Sequence, residues 1–119
     1  MHKKIIISFV SLFTIYNSNV LAKDNKFIKA SYYSHRFHKK LTASGETYNM
    51  YNLTAASNKL KFGTIVRITN MENGKSVKVR INDRGKLPKN RDIDLSFAAA
   101  KKLGILRDGI KTVKMEILS

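Results

Sequence analysis

Thr64-Ile65-Val66-Arg67-Ile68-Thr69, then Asn70-Met71-Glu72-Asn73-Gly74, then Lys75-Ser76-Val77-Lys78-Val79-Arg80-Ile81 is the stretch whose reading decides the fold. In the second run Val77, Val79 and Ile81 alternate with Ser76, Lys78 and Arg80, the period of a strand with one buried face. Asn73-Gly74 between the runs is a strong hairpin signal, because both residues tolerate positive φ. Two paired strands follow. Downstream, Asn82-Asp83-Arg84-Gly85 falls where the chain leaves the sheet, and Asp92 to Leu95 reads as a short strand. Ser96 then suits an N-cap for a helix over Phe97 to Leu103, with Gly104 as its stop. Thr112 to Leu118 alternates again and makes a last strand. Upstream, Phe27 to Tyr33 reads as a strand, His35 to Lys40 as a basic loop and Thr42 to Glu46 as a turn. Leu53 to Ala56 is a short apolar stretch before an exposed-looking Ser57-Asn58-Lys59. About six short strands and one short helix predict a mainly β protein, a small closed barrel whose closure hides its edges.

The 119 residues allow one domain. Residues 1–22 read as an export signal: Lys3 and Lys4, an apolar run from Ile5 to Tyr16, and Val20-Leu21-Ala22 ahead of a cut after Ala22. That run is short of the roughly 20 residues a membrane span needs, so no stable membrane insertion is expected once it is removed. A monomeric domain over 23–119, periplasmic or secreted, remains. The chain has no cysteine, which excludes disulfides, thiolate metal sites, a cysteine nucleophile and lipid attachment through sulfur. Its formal net charge is +15, and the loss of Lys3 and Lys4 lowers it by two. Such a surface attracts polyanions, and scattered lysines also solubilise. Export disfavours nucleic acid and leaves anionic lipid or a carboxylated wall polymer.

Seven of the eight acidic residues fall into two groups. Asp24, Glu72, Asp108 and Glu116 sit in a lead, a turn, a loop and an alternating strand, as solvated or structural groups do. Glu46, Asp83 and Asp94 sit at turns or strand ends, where sites concentrate. Cleaving a sugar chain takes a proton donor and a group that meets the oxocarbenium-like centre, and carboxyls supply both. Asp83 and Asp94 are placed to converge on one rim of a barrel, with Arg84 as a bidentate partner for a substrate carboxylate. The bland alternative has Asp83 capping its own turn, Arg84 pairing with Asp94, and Asp94 bracing the helix start; spacing alone favours it. His35 and His38 lack a third ligand, and no metal site is assigned.

The ordered set Ala30-Ser31-Tyr32-Tyr33, Leu41 to Glu46, Leu53 to Ala56, Phe62-Gly63-Thr64, Val66 to Asn70, Asn73-Gly74, Val77 to Gly85 and Ile93-Asp94-Leu95-Ser96 resembles the rare lipoprotein A family. The resemblance runs from about Ala30 to Leu118. It implies a six-stranded double-psi β-barrel and endolytic, non-hydrolytic cleavage of peptidoglycan glycan strands between N-acetylmuramic acid and N-acetylglucosamine. The product carries a 1,6-anhydro end, strands stripped of stem peptides are preferred, and no cofactor is needed. Asp83, Asp94 and Glu46 are the catalytic candidates: Glu46 and Asp83 fall on the family's functional positions, and Asp94 matches the acid of related barrel enzymes. Tyr33, Thr42, Ser57 and Arg84 are the substrate-binding candidates. Ser57 stands where the family usually has histidine, and Asn49 where it often has aspartate. A non-catalytic, expansin-like wall binder is the competing expectation.

Overall fold

The computed structural model describes residues 25–85 and 87–119, so the expected export signal lies outside the described residues. Six strands close into one barrel in the order β1-β5-β2-β4-β3-β6. They are β1 (Asn25–Tyr32), β2 (Thr54–Ala56), β3 (Ile65–Thr69), β4 (Ser76–Asp83), β5 (Ile93–Leu95) and β6 (Lys111–Ile117), with one α-helix, α1 (Phe97–Leu103), between the last two. Parallel pairs, β1 with β5 and β2 with β4, are set among antiparallel neighbours. This is the mainly β closed barrel that the strand pattern predicts, and it agrees with the double-psi fold that the family resemblance implies. Period-two patterning does what it should: Val66, Ile68, Val77, Val79, Ile81, Val113 and Met115 all point into one core. Each such side chain contributes about 1.5–3 kcal/mol by leaving water.

The hairpin forms, but through a six-residue connection, 70–75, in which Gly74 and not Asn73 takes positive φ. Val77 opposes Ile68 and Val79 opposes Val66 in the β3–β4 hairpin, and Gly74 takes φ 75° in its loop. That loop also ties down the helix, since the Asn70 and Asn73 side-chain amides both donate to the Leu103 carbonyl. Ser96 caps the helix start by accepting from Ala99 N–H, and Gly104 ends it at φ 78°. The loop expected at His35 to Lys40 contains a single 3₁₀ turn, His35–Phe37.

Short β2 is buried along its whole length because it runs between β4 and β5. Its register against β4 slips by one residue between Ala55 and Ala56. As a result Ala56 faces Asp83 on β4 and Asp94 on β5. This irregularity positions the site.

Candidate active site

With neighbouring strands about 4.8 Å apart, the Asp83 and Asp94 backbones lie about 10 Å apart across Ala56. Their side chains line one open cleft of about 410 Å³ together with Tyr33, Phe37, Arg84 and Arg91. The convergence expected from the sequence is therefore present, on the barrel rim rather than under the core.

The two carboxyls are held differently. Asp83 Oδ1 accepts the N–H groups of Ala43 and Arg84, each at 2.8 Å, and Oδ2 accepts the Tyr33 hydroxyl at 2.6 Å. It is a fixed acceptor, and its turn-capping bond to Arg84 N–H is one part of that. Among the described residues Asp94 accepts one bond, from Ser31 Oγ at 2.8 Å, because Ser31 is its register partner on β1. Burial pushes the Asp94 carboxyl above the ordinary aspartate range; the bond from Ser31 and the charge of Arg91 pull it down, and the charge of Asp83 pushes it up. Tyr33 is raised far above an ordinary phenol, first by burial and then by its bond to Asp83. Its ring stacks on Tyr48 with centroids 4.5 Å apart.

Glu46 is not brought into this cleft. It is exposed and its two oxygens accept Nη1 and Nη2 of Arg80, which holds its carboxyl below the usual range. Thr42 N–H and Oγ1 both donate to the Glu46 carbonyl, closing the turn that presents Ala43 N–H to Asp83.

Arg84 lines the cleft but departs from the alternative in which it pairs with Asp94. Its guanidinium lies 4.0 Å over the Phe62 ring and its Nη1 donates to the Ser57 and Asp83 carbonyls, and it does not pair with Asp94. The helix start is braced by Ser96, not by Asp94. Ser57, expected to be exposed, is 3% exposed, and its Oγ accepts the N–H groups of Lys59 and Leu60. It caps a turn because the chain doubles back directly after β2. Sequence reasoning missed Ser31, Tyr48 and Arg91. Ser31 was legible only as an outward position on β1 once the β1–β5 register is known. Arg91 lines the cleft with its buried Nε unpaired.

The fold and the site together define a closed six-stranded β-barrel with two aspartates lining one cleft. Residues 26–115 match the family described as lytic transglycolase, and the chain belongs to that family. It is 55% identical over 87 residues, 73% of this chain and 26% of the relative, to the endolytic peptidoglycan transglycosylase RlpA of Pseudomonas aeruginosa. The RlpA of Neisseria meningitidis serogroup A is 48% identical over 98 residues, 82% of this chain and 41% of the relative. The chain thus spans less than half the length of these relatives. Among solved structures, Streptomyces papain inhibitor superposes with a TM-score of 0.66 at 21% identity, covering 80% of this chain and 94% of that one. A Clavibacter michiganensis expansin superposes at 0.63 and 18% identity, covering 80% and 50%. Both likenesses concern the fold alone.

Proposed function

We propose that this chain is an exported endolytic lytic transglycosylase acting on peptidoglycan glycan strands. The observation that carries the reading is the pair Asp83 and Asp94 on either side of Ala56, in one open cleft, with the Asp94 carboxyl raised. A raised carboxyl can arrive protonated, which a general acid requires. Asp94 gives its proton to the bridging oxygen as the bond from the N-acetylmuramic acid anomeric carbon breaks. Asp83 offers negative potential to the oxocarbenium-like centre. The 6-hydroxyl oxygen of the same muramic acid then bonds to that carbon, and its proton passes to Asp94. The acid is restored, no water is added, and the strand ends in a 1,6-anhydro sugar. No cofactor takes part.

Glu46 acts as a positioning residue in this reading. Its ion pair with Arg80 fixes the turn that delivers Ala43 N–H to Asp83. Strands stripped of stem peptides are the proposed substrate, and Tyr33 and Thr42 line or support the cleft. Digestion of such strands with the purified protein, followed by mass spectrometry, tests the reading: released fragments should carry anhydromuramyl ends.

One observation favours a second reading, a wall binder without turnover. Ser57, with its Oγ committed to a turn, brings no ionisable group to the cleft. Tight binding to sacculi with no released fragments would decide for it, and a Ser57→His variant that gains activity would show the cleft otherwise intact.

A further inference from the structure

A second groove, of about 680 Å³, lies against α1 and contains none of the cleft residues. Tyr51, Leu53 and Phe97 form its apolar part, and Lys75, Lys101 and Lys102 surround them. The volume is within the roughly 300–1,000 Å³ of ligand clefts. Tyr51 is 69% exposed and so open to a ligand. Both rings are held from behind: His38 packs edge-on against Tyr51 at 5.5 Å and His35 against Phe97 at 4.6 Å. A ring fixed before binding loses little entropy on contact.

The lysines come from separate places. Lys101 and Lys102 close α1, where the helix dipole favours them, but Lys75 arrives from the β3–β4 loop, and the dipole does not explain why it joins them. Among the described residues none of the three pairs with a carboxylate. One side chain touches a residue of each site. Tyr48 stacks on Tyr33 of the cleft and accepts, through its hydroxyl, the N–H of Phe97 in the groove at 3.2 Å.

We infer that this groove is a second glycan site, which takes a sugar bearing a free carboxylate while a neighbouring part of the same strand occupies the acidic cleft. The ligand rests on the wall-glycan reading above; the residues are independent of it. Flat ring faces suit the C–H faces of a pyranose, and ammonium groups suit a carboxylate that sits at the end of a short side chain. In a muramyl strand the lactyl carboxylate is free only after the stem peptide is removed, so the groove reads that state of the substrate. Single-stranded nucleic acid also combines rings with cations, but its continuous phosphates would have to pass Asp83 and Asp94. A muramyl strand places neutral N-acetylglucosamine between its charges and avoids that repulsion.

The test compares Tyr51→Ala/Lys101→Gln/Lys102→Gln with Lys61→Gln/Lys78→Gln, which removes the same charge from exposed positions elsewhere. Binding of each purified variant to amidase-treated, stem-free strands is titrated, and again after the lactyl carboxylates are converted to neutral amides. Loss of a ring contact and two exposed ionic contacts should weaken binding to the acid strands on the order of tenfold, while the control stays near the unaltered protein. The difference should largely vanish on the amidated strands. Equal binding by groove and control variants would overturn the inference and leave the cleft reading standing. So would a groove variant that loses single-stranded DNA or anionic vesicles but not glycan. No glycan binding by the unaltered protein would overturn both, whereas binding without anhydro products would count against the cleft reading alone.

Discussion

Asp83 and Asp94 share one register partner, Ala56, which pairs with the first across β4 and with the second across β5. The small side chain leaves the space between the carboxyls open, and the register slip beside it turns Asp83 into the cleft. One residue of β2 thereby sets the spacing of two acids that are distant in sequence.

Asp94→Asn should lower turnover on stem-free strands by about 10²–10⁴-fold, the range for losing a general acid. It should also stabilise the protein at neutral pH. The folded carboxyl is raised above its unfolded value, mainly by burial, so folding carries a penalty once Asp94 ionises. That penalty is absent below the unfolded value, grows as pH rises through the folded one, and is full above it. Melting of the variant should therefore exceed that of the parent at pH 7 and match it in acid.

Ser31→Ala removes the bond that favours ionised Asp94. The carboxyl then rises further, and the alkaline limb of the kcat/KM profile should move to higher pH. A limb that moves to lower pH, or stays in place, would show that another group is the acid.

Glu46→Gln breaks an exposed ion pair and should cost at most about 1 kcal/mol. Because the folded carboxyl is lowered, this stability is present above the unfolded value and lost as pH falls through the folded one. Denaturant midpoints of parent and variant should converge in acid. Turnover should fall through misplacement of Asp83, and Glu46→Asp should restore part of it.

Gly104→Ala should destabilise the fold by about 1–3 kcal/mol, read as a lower thermal midpoint. The position needs φ 78°, and an added Cβ would stand 2.7 Å from the Asn73 amide nitrogen that holds the helix end.

The barrel was legible because its strands alternate cleanly and its punctuation is strong: Gly74, Ser96 and Gly104 each do in the fold what their chemistry suggests. Asp83 and Asp94 were legible as strand-end acids, since strand ends at a barrel mouth are where carboxyls meet. The identity of their partners was not. Ser31 reaches Asp94 only through a parallel pairing of strands 63 positions apart, and Tyr33 reaches Asp83 across 50. The strip Asn82-Asp83-Arg84-Gly85 does not reveal that the Arg84 guanidinium stacks on Phe62 and bonds the Ser57 carbonyl through Nη1. Ser57 looked exposed because nothing local shows that its hydroxyl closes the turn after β2.

The most direct measurement is mass analysis of fragments released from purified sacculi by the parent protein, Asp94→Asn and Asp83→Asn. The parent should release 1,6-anhydromuramyl fragments, and both variants should release almost none. Equal release by all three, or fragments ending in reducing muramic acid, would contradict the role assigned to the two aspartates beside Ala56.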